Sequence, residues 1–150
     1  MQYWLMKSEP DVFGIDDLQK VAVEPWDGVR NYQARNMMRD QMQVGDQVFF
    51  YHSNCDIPGI VGIASIATQG YPDDTAFNPE AKYFDPKSDP QNPSWYRVDV
   101  QFVRKLKRTI SLRELREQTA LQNMPLVQKG CRLSVMPVSA EEWQTILVLE

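Results

Sequence analysis

The sequence predicts an α+β fold: short strands that close or half-close a mixed β-barrel, with short helices flanking it. Three observations carry that expectation. Strand-like and helix-like segments alternate irregularly along 150 residues, a length that suits one domain spanning 1–150. Ten prolines against seven glycines imply many rigid turns between short elements. Hydrophobic residues make up 43% of the chain, enough for a packed core, and charged residues a moderate 24%.

Taken in order, Gln2–Met6 reads as a first strand that ends at Lys7-Ser8-Glu9-Pro10, with Pro10 stopping regular structure and holding Glu9 extended. Ile15–Val21 reads as a helix with Asp16 and Asp17 in its first turn, where the helix dipole favours acids. Glu24-Pro25 opens a loop carrying Trp26 and Gly28. Asn31 is placed to cap a helix running to about Arg39, with Ala34, Met37 and Met38 on its apolar side. A turn at 43–46 precedes a buried strand, Gln47–Tyr51, and a second strand follows at Pro58–Ala67. Gly59 and Gly62 inside that second strand predict a bulge or the close approach of another group. The connection His52–Ile57 is long enough to carry function.

Residues 70–95 are the least regular stretch, rich in proline and asparagine, yet Tyr71, Phe77, Tyr83 and Phe84 argue that it is ordered. Trp95–Leu106 reads as a long strand in which Val98, Val100 and Phe102 alternate with Arg97, Asp99 and Gln101. Ser111-Leu112-Arg113-Glu114 and Ser139-Ala140-Glu141-Glu142 each have capping-box spacing and open helices, and Cys131–Val135 between them reads as a strand.

Composition removes several classes of function. A formal charge of −4 argues against indiscriminate coating of DNA. Residues 97–132 nevertheless hold nine basic groups against three acids, a local +6, which reads equally well as a face that tracks phosphates or as a strand edge kept soluble by Lys and Arg. No apolar stretch approaches the roughly twenty residues of a membrane span, and Met1-Gln2-Tyr3-Trp4 has no features of a secretion signal. Cys55 and Cys131 are isolated and read as free thiols of a cytoplasmic protein. With one histidine and no clustered carboxylates, neither a metal nor a cofactor is expected. His52 and Ser53 are neighbours that point apart in a strand, which is poor geometry for a triad.

The chemistry-bearing segment is Trp26-Asp27-Gly28-Val29-Arg30-Asn31-Tyr32-Gln33-Ala34-Arg35-Asn36. A loop tryptophan flanked by Arg and Asn suits stacking on a nucleobase, although a loop tryptophan is also often a core plug. Lys7 and Ser8, where the first strand ends, read on spacing alone as a surface turn, or functionally as the polar rim of a barrel mouth. Tyr51-His52-Ser53-Asn54 is placed to add polar contacts to a bound ring, or is a buried tyrosine followed by an ordinary loop.

Four blocks together, Tyr3-Trp4-Leu5-Met6-Lys7-Ser8-Glu9-Pro10, Trp26 to Asn36, Phe49 to Cys55 with Pro58-Gly59-Ile60, and Val98 to Arg104, resemble the EVE domain family over nearly the whole chain. The resemblance implies a PUA-like mixed β-barrel similar to the YTH domain, which holds a methylated adenine in an aromatic cage. It implies non-catalytic binding of a modified nucleobase, such as a methylated or oxidised cytosine in DNA or RNA, flipped out of its stack. On that reading Trp26 is the cage tryptophan. Lys7 and Ser8 match the polar mouth and Ser53-Asn54 the strand end beside it, with Asn31, Tyr51 and His52 as further candidate base contacts from the residues themselves, and the second wall comes from Tyr71, Tyr83, Phe84 or Trp95. Arg30, Arg35, Arg104 and Lys105 are expected to hold flanking phosphates. The alternative is hydrolysis of a modified nucleoside by Lys7 and Glu9, because some PUA-like relatives use a lysine and a carboxylate near the barrel mouth.

Overall fold

The chain runs β1 (Tyr3–Ser8), α1 (Pro10–Phe13), α2 (Ile15–Val21), β2 (Val23–Pro25), α3 (Tyr32–Asn36), β3 (Gln47–His52), β4 (Gly59–Ile66), β5 (Tyr71–Pro72), β6 (Tyr96–Arg97), β7 (Asp99–Ser111), α4 (Leu112–Arg116), β8 (Val135–Val138) and α5 (Ala140–Leu149). This computed structural model describes all residues from 1 to 150. Six strands form one curled, half-barrel sheet in the order β2-β7-β4-β3-β1-β8, and β5 and β6 form a separate two-stranded ribbon. The expected α+β architecture, a mixed PUA-like barrel with short flanking helices, is what the chain adopts. No helix is long and apolar enough to cross a membrane.

The centre of the sheet explains its apolar runs. β1 lies parallel to β3 and antiparallel to β8, with Leu5 opposite both Phe49 and Met136. Alternate residues therefore face opposite layers. Trp4, Met6, Val48 and Phe50 pack with Ile15, Leu18, Trp26 and Val98 on one side. Leu5, Phe49 and Tyr51 pack with Leu115, Leu121 and Trp143 on the other. Strands covered on both faces read as continuous hydrophobic runs, as Trp4-Leu5-Met6 and Val48-Phe49-Phe50-Tyr51 do. Asp46, 3% exposed, ties the turn before β3 to β1 by accepting from Trp4 Nε1 (3.0 Å) and from the backbone N–H groups of Gln2 and Gln43.

The bulge expected in the second strand is present: pairing of β4 with β7 shifts register between Ile60 and Gly62, and a Cβ on Gly62 would lie 2.5 Å from Ile15 Cδ1. Four expectations shift. Pro10 does not end structure but opens α1, because a proline at a helix's first position lacks only an N–H that has no partner there anyway. The helix capped by Asn31 is α-helical only to Asn36 and then widens into a π-helical turn, Met37–Gln41. The strand expected at Cys131–Val135 lies instead at Val135–Val138, where the buried Val135, Met136 and Val138 pack and the exposed Arg132 is left outside. The strand expected from Trp95 divides at Val98, whose carbonyl accepts from the Trp26 N–H at 2.8 Å. It then runs on to Ser111, and the edge strand β2, masked in sequence by Pro25, pairs with it.

Candidate functional site

The turn after β2 is held rigidly. Gly28 has φ +78°, a left-handed conformation that favours glycine. Its N–H donates to Asp73 Oδ2 at 2.8 Å. A Cβ at this position would fall 2.5–2.7 Å from the Tyr83 ring, so glycine also lets that ring close over the turn. Asp73 has no solvent exposure and lies in the irregular 70–95 segment. Burial by itself raises its carboxyl, but hydrogen bonds from Thr75, Gly28 and Arg30 outweigh this and hold it below the usual carboxylate range.

Arg30 completes the link. It pairs with Asp73 at 3.0 Å and donates twice to the Tyr83 carbonyl, from Nε at 3.2 Å and Nη2 at 2.6 Å. Arg97 approaches Asp73 and Asp74 at 3.6 and 3.1 Å from the other side. An arginine whose planar fork fits both a carboxylate and a carbonyl can join two loops in this way.

These contacts frame a cavity of about 620 Å³ beside Trp26, within the roughly 300–1,000 Å³ usual for small-ligand sites. Trp26 is 9% exposed and meets Phe50 only edge-on, with centroids 5.4 Å apart at 85°. Its indole Nε1 has no acceptor within the protein, unlike those of Trp4 and Trp95. Tyr83, Phe13, Pro25 and Val29 add apolar wall; Ser8, Ser53 and Ser134 add hydroxyls; and Glu9, Glu24 and Asp27 add carboxylates. Lys7, Lys82 and Arg132 border the same space, and none of the three is in an ion pair. Lys7 Nζ also lies 5.7 Å from the centroid of the Tyr51 ring.

Of the residues expected at a base pocket, Lys7, Ser8, Trp26, Ser53 and Tyr83 are brought together here, and Tyr83 rather than Tyr71, Phe84 or Trp95 is the second aromatic wall. Lys7 and Glu9 both border the cavity, with Glu9 accepting from the Asn54 amide at 3.3 Å. The Ser8 hydroxyl donates to the Phe13 carbonyl at 2.5 Å, leaving its lone pairs free.

The other expected base contacts lie outside the cavity, each for a visible reason. Asn31 Oδ1 caps α3 by accepting from the Ala34 N–H at 2.9 Å. Tyr51 faces the opposite layer, 2% exposed, and burial pushes its hydroxyl up to about 12. His52 Nε2 accepts from the Ile15 N–H at 3.1 Å at the start of α2, and burial lowers its pKa. Asn54 is exposed, with φ +54°. Trp95, 6% exposed, donates to Asp85 at 2.6 Å and stacks on Tyr32.

The four residues expected at phosphates each have partners within the protein, and of the four only Arg30 borders the cavity. Arg30 is held by Asp73 and Tyr83 as above. Arg35 donates to the Ser94 carbonyl at 2.6 Å and to Asn36. Arg104 makes a two-pronged pair with Glu150 at 2.7 and 2.9 Å, and Lys105 pairs with Asp16 at 2.6 Å. Sequence reasoning missed Glu24, Asp27, Lys82 and Arg132. Asp27 sits beside Trp26 in a segment already singled out, which was a usable signal; nothing in the local sequence marks Lys82 or Arg132.

A curled half-barrel sheet with short flanking helices defines a PUA-like domain, and an aromatic-walled, cation-bordered pocket lies beside it. The chain belongs to the EVE domain family, whose profile matches residues 2–149. It is 45% identical to human thymocyte nuclear protein 1, an alignment that covers 99% of this chain and 73% of that protein. A solved Pseudomonas syringae protein superposes with a TM-score of 0.95 at 53% identity, covering 98% of each chain. A crystal structure of human THYN1 protein in complex with 5-methylcytosine-containing DNA superposes with a TM-score of 0.94 at 44% identity, covering 99% of this chain and 97% of that one.

Proposed function

We propose that this chain binds a modified cytosine, methylated or oxidised, flipped from nucleic acid into the cavity beside Trp26. The observation that carries the reading is the indole itself: its face is not stacked on another ring, its N–H has no acceptor in the protein, and it borders a hollow of sufficient size. Extruding a base costs a few kcal/mol. Stacking on the indole returns about 1–3 kcal/mol, and a methyl group adds apolar contact with the pocket wall. Lys7, Lys82 and Arg132, free of carboxylate partners, grip the phosphates on either side of the flipped nucleotide. Ser8 and Ser53 offer hydroxyls to the base edge. The complex of human THYN1 with 5-methylcytosine-containing DNA supports this reading through a relative.

The test is a titration of matched DNA and RNA oligonucleotides that carry cytosine, 5-methylcytosine or its oxidised forms, with the bound nucleoside analysed afterwards by mass spectrometry. Preference for a modified base, with the base recovered intact, is expected. Equal affinity for modified and unmodified strands removes the reading, and conversion of the base points instead to hydrolysis by Lys7 and Glu9.

A further inference from the structure

Two carboxylates of the cavity serve nothing in the fold. Glu24 and Asp27 border the pocket, and no other residue donates a hydrogen bond or forms an ion pair to either. Other acids around the site are engaged: Asp73 by Gly28, Thr75 and two arginines, Asp85 by Trp95 and the Lys87 N–H, Glu9 by Asn54, and Asp99 by the Tyr71 hydroxyl. Glu24 is fixed in β2 opposite Val100. Asp27 lies between two anchored residues, with the Trp26 N–H bonded to Val98 and the Gly28 N–H to Asp73, both at 2.8 Å. The backbone of Asp27 is thus fixed beside Trp26, and the two residues border the same cavity.

We propose that Asp27, with Glu24 beside it, selects the base by its amino group, so that the pocket admits cytosine-type bases and refuses thymine and uracil. The proposal rests on the base-binding reading above and deepens it. An ionised carboxylate accepts hydrogen bonds and donates none, so it matches the exocyclic N–H₂ of cytosine and repels the carbonyl that thymine carries at the same position. 5-Methylcytosine and thymine share a ring and a methyl group, so stacking and methyl contact cannot separate them. The arrangement costs the unliganded protein something. Burial, and then the charges of Asp27 and Asp99 on Glu24 and of Asp73 on Asp27, push both above the usual carboxylate range, in Asp27 against the pull of Arg97 and Arg30. Groups held at the expense of stability mark functional positions.

The experiment compares single-stranded oligonucleotides that differ only in 5-methylcytosine, cytosine, thymine or uracil at one position. It measures wild type, Asp27→Asn and Glu24→Gln by fluorescence anisotropy, with thermal midpoints recorded alongside. Wild type is expected to bind 5-methylcytosine on the order of 10–100-fold more tightly than thymine. Asp27→Asn is expected to bring that ratio near one, keep the preference for 5-methylcytosine over cytosine, and leave the thermal midpoint unchanged or higher. If wild type holds 5-methylcytosine and thymine alike, and both above cytosine and uracil, the base-binding reading survives and the selection by Asp27 is overturned. A ratio that neither substitution changes overturns it as well. Indifference to all four bases removes both readings. Should Asp27→Asn fail to fold, the wild-type ratio and Glu24→Gln still decide.

Discussion

Trp143 and Trp26 lie on opposite faces of the same sheet and are held in different ways. Trp143, 2% exposed, stacks on two rings: Phe49 at 3.8 Å and 19°, and Tyr3 at 4.6 Å and 25°. From other aromatic rings Trp26 receives only an edge contact, from Phe50. A ring stacked on two others has given π surface to the fold, whereas a ring that meets its aromatic neighbour only by the edge keeps a face for a ligand. The helices follow the same division. α5, capped by Ser139 and Glu142, closes over Trp143, while the Trp26 side is closed by the irregular 70–95 segment, pinned through Asp73.

The largest expected effect sharpens the contrast. Trp143→Ala should lower the unfolding free energy by about 3–5 kcal/mol in a urea titration, because it empties a packed stack. A smaller loss would mean that this face is less committed to structure than its geometry says. Asp73→Ala comes next, at about 3 kcal/mol. It leaves Arg30 and Arg97 without their buried acceptor, and their partial solvent contact keeps the loss at the low end for such pairs. It should also weaken base binding by loosening Tyr83. Full binding by a destabilised Asp73→Ala protein would show that the pocket does not need this anchor.

Trp26→Ala should shift the balance toward binding, with a stability loss smaller than that of Trp143→Ala and a loss of about 1–3 kcal/mol in binding to a modified oligonucleotide. A stability loss as large as that of Trp143→Ala, with binding retained, would make both tryptophans core plugs. The smallest effect concerns neither ring. Hydrogen bonds from Arg104 pull Glu150 from an ordinary 4.5 down to about 2. Because the folded value is the depressed one, the pair stabilises the protein fully above pH 4.5 and progressively less as pH falls toward 2. Glu150→Gln should flatten that acid limb in pH-dependent melts without touching base binding, since Arg104 lies outside the cavity.

Much of the recognition side was legible in the sequence. Trp26-Asp27-Gly28 reads as a turn presenting an indole, Gly62 as a bulge, and the aromatics of 70–95 as order. Tyr83 stood among the candidate walls, but choosing it required the structure, since the contact with Gly28 joins residues far apart in the chain. The partners of the cations were hidden for the same reason. Sequence counts charges and does not show their partners. Arg30 finds Asp73, and Arg104 finds Glu150, across separations of 43 and 46 residues. Tyr51 and His52 do not border the cavity because alternation along β3 and a helix start decide where they point, and neither rule could be applied until the pairing with β1 was fixed.

The unpartnered indole has a practical consequence. Of the four tryptophans, Trp4 and Trp95 are bonded to aspartates and Trp143 is buried against two stacked rings, so Trp26, which borders the cavity, is the one positioned to meet an incoming ring. The molecule thereby carries its own optical reporter: a stacked base should quench one emitter in four and leave the others as an internal reference, so that occupancy is read without any added label.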